Sequence, residues 1–139
     1  MQSMRTLFDT NILLDLAMEG RPDHVEALKA ASACVDGRLQ GCVLATSLKD
    51  FYYIARRSAD GARCRAFVRA FTNIFEVLPL DLVTCEHALD LPEPDLEDAM
   101  VLSAAMLAGV DVICTRDAKA FRGFSGEVES AKELMEELS

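Results

Sequence analysis

The sequence predicts an α/β fold, a mainly parallel sheet of four to five strands covered by helices on both faces. Short apolar runs at 5–9, 42–45, 77–80 and 111–115 alternate with helix-length segments, the pattern of βαβ units. Gly and Pro fall at the boundaries between these segments, where they stop helices and turn the chain. No internal repeat, low-complexity stretch or linker divides the 139 residues, so 1–139 reads as one domain.

Each element has its own signal. RTLFD, 5–9, is a short buried strand, and Thr10 or Asn11 opens a helix running to about Met18. The Gly20-Arg21-Pro22-Asp23 break starts a second helix at Pro22 or Asp23, ended by Gly37, with Val25, Leu28 and Ala31–Ser32 at helical spacing. CVLA, 42–45, is a second strand, and Thr46-Ser47 opens the helix SLKDFYYIARR. After Ser58–Gly61, ARCRAFVRAFTNIF places Phe67, Phe71 and Ile74 on one helical face. VLPL, 77–80, is a third strand, followed by a helix from about Val83 to Leu89 and the proline-bearing loop LPEPD, 91–95. LEDAMVLSAAMLA, 96–108, is the most apolar helix, and Gly109 stops it before the strand DVICT, 111–115. A short strand near Gly126–Glu129 and an acidic helix over 130–138 complete the pattern.

Bulk properties narrow the function. A chain of this length buries about 68–70% of its unfolded surface and needs no disulfides to hold a core. The five cysteines, Cys34, Cys42, Cys64, Cys85 and Cys114, stand singly without zinc-ligand spacing. They read as buried thiols in a reducing cytoplasm. His24 and His87, each near acids on predicted helices, read as surface residues. No apolar stretch approaches the ~20 residues of a membrane span, and MQSMRTLFD enters a strand too soon for a signal peptide; Met4 is an alternative start. The net charge of −9 argues against a general nucleic-acid binder. The bases are nevertheless clustered. Arg56, Arg57, Arg63, Arg65 and Arg69 share their segment with one acid, Asp60, whereas 127–137 holds five glutamates against Lys132.

In LFDTNILLD, 7–15, an apolar strand delivers Asp9 and turns into a second apolar run. A buried strand rarely ends in an ionised carboxylate without a compensating partner. Three other acids sit at equivalent places: Asp50 in the first turn after the second strand, Asp98 in the first turn of the apolar helix, and Asp117 just after the fourth strand. In a parallel sheet the loops carrying Asp9, Asp50 and Asp117 share the carboxyl edge, where such folds bind ligands. Asp98 joins them if its helix begins near that edge. Taken singly, these acids also have local readings. Ser47-x-x-Asp50 fits a capping-box spacing, Asp95 fits a helix N-cap with Glu97 and Asp98 favoured in its first turn, and Asp117 fits a cap of DAKAF.

Like charges gathered in one place raise one another's pKa, and a hard dication makes such a cluster favourable. Carboxylate-and-water coordination suits Mg²⁺ or Mn²⁺ rather than zinc, and such sites serve phosphodiester cleavage. The chain carries neither a Ser, His or Cys nucleophile arrangement nor a phosphate-cradling glycine loop.

DTNILLD, TSLKDFYYIAR, DLEDAMVLSAAMLAG and VICTRDAKAF, in that order, together resemble the PIN-domain nucleases, and among them the small bacterial ribonucleases of the VapC toxin type. The resemblance spans Arg5 to about Phe121. It implies a three-layer α/β/α fold, an RNA-cleaving site dependent on Mg²⁺ or Mn²⁺, frequent homodimers and an antitoxin partner in the cytoplasm. By position it makes Asp9, Asp98, Asp117 and Asp50 the catalytic and metal-holding acids. Asp50 stands where the family most often has Glu, one methylene shorter, which bears on whether it meets metal directly or through water. Asp95 is an N-cap or an outer acid. Asn11 matches the asparagine beside the first acid and Thr115 the small hydroxyl residue before the last. Those two, with Arg116, Arg56 and Arg57, are the candidates for substrate contact.

The leading expectation is a divalent-metal-dependent endoribonuclease, the toxin of a toxin–antitoxin pair. The alternative is a catalytically weak PIN scaffold acting through protein or RNA binding. A receiver-type phosphoacceptor fits poorly, because the late strand ends in Thr-Arg-Asp and Asp9 has no adjacent acid.

Overall fold

The computed structural model describes residues 3–92 and 95–139. Strands β1 (Met4–Phe8), β2 (Leu39–Leu44), β3 (Glu76–Leu78), β4 (Val112–Cys114) and β5 (Glu127–Glu129) pair in the order β3-β2-β1-β4-β5, every pairing parallel. Among the described residues the helices are α1 (Thr10–Ala17), α2 (His24–Val35), α3 (Ala45–Ala55), α4 (Gly61–Ile74), α5 (Leu82–Leu89), α6 (Leu96–Leu107) and α7 (Ala131–Leu138), with a 3-10 turn at Ala118–Phe121.

Strand alternation divides the core in two, since successive side chains point to opposite faces. Phe8, Leu39, Val43, Val112 and Cys114 pack under α1, α2, α3, α4 and α7, with Phe51, Phe71 and Phe75 in the same cluster. Leu7, Cys42, Leu44, Leu78 and Ile113 pack under α6 with Phe121, and α5 lies against α6. This is the anticipated three-layer α/β/α arrangement.

Several boundaries differ from the sequence reading, for physical reasons. The strand expected at 42–45 begins at Leu39, because Leu39, Gln40 and Gly41 pair in register with Met4, Arg5 and Thr6. Gly41 has no side chain to signal a strand, yet a β carbon there would lie 2.6 Å from Cys34 Sγ. The third strand ends at Leu78 rather than 80, since Pro79 has no N–H to continue the ladder. α2 ends as anticipated, with Gly37 just beyond it at φ 86°, but it buries Ala27, Ala30, Ala31 and Ala33 and leaves Val25 and Leu28 exposed. Small alanines allow close approach to neighbouring elements, and that packing overrode the larger apolar pair. Neither histidine is a free surface residue: His24 Nδ1 lies 2.8 Å from the Asp15 carbonyl and His87 Nδ1 lies 2.7 Å from Ser103 Oγ. Among the described residues the five cysteines are free thiols, three of them buried, and no helix is long and apolar enough to cross a membrane. Within the 91–95 loop, Glu93 and Pro94 lie outside the described residues, as do Met1 and Gln2.

Candidate active site

The strand order runs outward from β1 through β2 to β3 on one side and from β4 to β5 on the other. The crossovers therefore reverse direction between β1 and β4, the point where open α/β sheets bind ligands beyond their carboxyl ends. Asp9 follows β1 there, and Thr115 to Asp117 follow β4.

Asp9 is both a cap and a presented acid. It occupies the N-cap of α1, with Oδ1 accepting from the Thr10 N–H at 2.9 Å. Its Oδ2 accepts from the Thr115 hydroxyl at 2.9 Å, and the same hydroxyl oxygen accepts from the Asp117 N–H at 3.0 Å. One buried threonine thus ties the first acid to the loop that carries the last. Burial pushes the Asp9 carboxyl above its ordinary value; the Thr115 and Thr10 bonds oppose this, and the charges of Asp117 and Asp50 add to it.

Asp9, Asn11, Asp50, Asp98 and Asp117 all line one cleft of about 740 Å³. The helix carrying Asp98 does begin at the carboxyl edge. Asp95 caps it by accepting from the Glu97 and Asp98 N–H groups at 2.8 and 3.2 Å, which bears out the N-cap reading. Burial raises Asp98 to about 6, with the charges of Asp95, Asp9 and Asp117 adding to it. Asp50 is half-buried and pairs with Lys49 Nζ at 3.2 Å. The capping box expected at Ser47 is not formed: α3 starts two residues earlier, and Ser47 is buried inside its first turn. Asp117 precedes the 3-10 turn without a side-chain cap bond to it.

The other candidates lie apart from the cleft lining. Thr115 lies beneath it, bonded to Asp9. Arg116 turns away, with Nε 3.3 Å from Asp23 Oδ2 and a terminal nitrogen 3.4 Å from Asp15 Oδ1. Asp15 is fully buried and takes its closest contact, 2.6 Å, from Arg21 Nε. Arg56 donates to the Ala59 carbonyl at 2.9 Å, and Arg57 is exposed just beyond α3. Residues the sequence reading missed are Thr10, Thr46, Ser47, Lys49, Tyr53 and Glu97. A signal existed for two of them: Thr46 and Tyr53 fall four before and three after Asp50, the spacing of one helical face.

The donor set suits a hard dication. Carboxylates and hydroxyls face the cleft, and no thiol or imidazole lines it among the described residues. Among the described residues no hydrogen bond or ion pair occupies the carboxylate oxygens of Asp117 or Asp98, in contrast to Asp95. The acids are open rather than caged: among the described residues no three His, Cys, Asp or Glu side chains are close enough to form a ready metal centre. An ion would have to draw them inward.

A doubly wound parallel domain with converging acids at its switch point defines a class of acid-cleft α/β proteins. The family model described as PIN domain matches residues 5–119, and the chain belongs to that family. It is 24% identical over 141 residues to the ribonuclease VapC1 of Aquifex aeolicus, covering 98% of this chain and 96% of the relative. Among solved structures, a toxin–antitoxin complex from Klebsiella pneumoniae is similar at 28% identity and TM-score 0.68, covering 88% of this chain and 95% of that one. VapC20 of Mycobacterium tuberculosis, a sarcin-ricin loop cleaving toxin, shares the fold at TM-score 0.67 and 14% identity, over 83% of this chain and 92% of that one.

Proposed function

We propose that the protein is an endoribonuclease that hydrolyses RNA phosphodiester bonds with Mg²⁺ or Mn²⁺ and acts as the toxin of a toxin–antitoxin pair. The observation that carries this reading is the convergence of Asp9, Asp50, Asp98 and Asp117 on one cleft, with Asp9 and Asp98 raised from their ordinary values by burial and by the charges of neighbouring acids. Membership of the PIN-domain family and similarity to a ribonuclease VapC support it.

Asp9 and Asp98 would hold the ion, with Asp117 and Asp50 completing its surroundings directly or through water. When bound, a divalent ion of this kind lowers the pKa of water and neutralises charge on a phosphate. The chain's own part is positioning. Thr115 fixes one Asp9 oxygen, Asp95 fixes the first turn of α6 that carries Asp98, and Asn11 stands in the cleft to orient the substrate. Orientation and preorganised charge supply the remainder of such catalysis. An antitoxin would act by covering this cleft, and a homodimer in the cytoplasm is the assembly that the family resemblance implies.

The test is cleavage of RNA with Mg²⁺ or Mn²⁺ by the wild type and by Asp9→Asn. Activity in the first and its loss in the second supports the assignment; equal activity in both rejects it. The open spacing of the acids favours the second reading, a weakly catalytic scaffold, only if ion binding fails to close the site.

A further inference from the structure

Beside the acidic cleft runs a second depression of about 560 Å³ between α3 and α4. Its floor is Leu48, Tyr52 and Val68, and its rim carries Lys49, Arg65 and Arg69. Lys49 lines both depressions, and Tyr53, 75% exposed, stands in the acidic cleft on the same helix. In a chain of net charge −9 this local balance is inverted. No acid lines the groove; Lys49 pairs with Asp50 of the neighbouring cleft at 3.2 Å, and among the described residues no carboxylate pairs with Arg65 or Arg69.

We infer that this groove seats a single-stranded stretch of RNA as it leaves the acidic cleft. Phosphates would lie along Lys49, Arg65 and Arg69, and a base would stack on the exposed face of Tyr53. The inference rests on the nuclease reading and names the path its substrate takes. Two features favour nucleic acid over an apolar protein segment. Three cations, Lys49, Arg65 and Arg69, line the depression with no acid among its lining residues. An exposed aromatic ring, Tyr53, lines the adjoining cleft on the helix that also carries Lys49. Backbone-tracking cations with a sequence-tolerant stacking platform are what single-strand binding requires. A groove of this kind gives an acidic protein a local way to hold a polyanion that its overall charge repels.

The experiment measures binding of a fluorescein-labelled, unstructured oligoribonucleotide to the full chain in EDTA, so that no cleavage intervenes, across a range of salt. The Arg65→Glu/Arg69→Glu variant should bind at least about tenfold more weakly. Its salt slope should flatten by about 1.4, two lost contacts at about 0.7 each. Arg65→Lys/Arg69→Lys should keep most of the affinity, and Tyr53→Ala should lose roughly tenfold with the slope unchanged. Wild-type affinity and slope in the charge-reversed variant overturn the inference, as does failure of the wild type to bind. A change in sedimentation from dimer to monomer with RNA binding intact also overturns it, making the groove a contact between copies. Binding that depends on Arg65 and Arg69 supports the groove even if no cleavage is found. Equal kcat/KM for wild type and charge-reversed variant removes the groove and leaves the nuclease reading standing.

Discussion

The Thr115 hydroxyl donates to Asp9 Oδ2 at 2.9 Å across 106 residues of sequence, joining the ends of β1 and β4 at the sheet's switch point. The same oxygen accepts from the Asp117 N–H at 3.0 Å, so a single buried side chain sets the relation between two acids of the cleft. Thr115→Val keeps the shape and deletes both bonds. It should cost about 1–3 kcal/mol of stability, the price of leaving buried polar groups without partners. Divalent-ion affinity should fall by about 10–100-fold, as it does when the partner that orients a ligand is removed. Urea denaturation and ion titration measure the two losses; unchanged affinity would show that Asp9 needs no such tether.

A second constraint lies behind the cleft. Asp15 is fully buried on α1, with Arg21 Nε at 2.6 Å and Arg116 at 3.4 Å, and its Oδ2 has no hydrogen-bond partner among the described residues. Arg21→Ala strands most of that buried charge and should destabilise by about 3 kcal/mol or more. Asp15→Asn should cost less, because both arginines are partly exposed and regain water. Denaturation midpoints of the two variants check the order, and the reverse order would contradict this account.

Asp98 makes stability depend on pH in a defined direction. Its folded value, about 6, lies above the unfolded value of about 3.9, so the folded chain binds the proton more tightly. Metal-free protein should therefore gain stability as pH falls from above 6 toward about 4, and lose it as pH rises through that window. Burial and the charges of Asp95, Asp9 and Asp117 are the causes. Asp98→Asn should flatten this slope and raise the metal-free Tm at neutral pH by on the order of a few degrees. A thermal melt series from pH 4 to 8 reads both effects. Mn²⁺ should stabilise the wild type most above pH 6, where the carboxylates are charged.

Much of this site was legible without coordinates. The alternation of strands and helices implied a parallel sheet, and strand ends in such a sheet share an edge, so Asp9, Asp50 and Asp117 could be gathered from local sequence alone. Asp98 was harder, since its helix is not preceded directly by a strand, and its place depends on where the 91–95 loop delivers the chain. The local signals misled where tertiary contacts outweigh them. Ser47-x-x-Asp50 resembles a capping box, but α3 begins at Ala45 and Leu44 takes the cap position. Arg116 neighbours Asp117 of the cleft in sequence, yet the buried Asp15 carboxylate draws its side chain the other way. The roles of Thr115 and Lys49 depend on partners 106 residues away or on a neighbouring helix, which no single-segment pattern encodes.

The most direct measurement is a calorimetric titration of Mn²⁺ into the metal-free chain at neutral pH, alongside Asp9→Asn and Asp98→Asn. The acids at the switch point should bind the ion in the wild type, and each substitution should weaken it by more than about tenfold while the chain stays folded. A folded wild type that takes up no Mn²⁺, or variants that bind it equally well, would contradict the claim that these carboxylates form one cation-holding site.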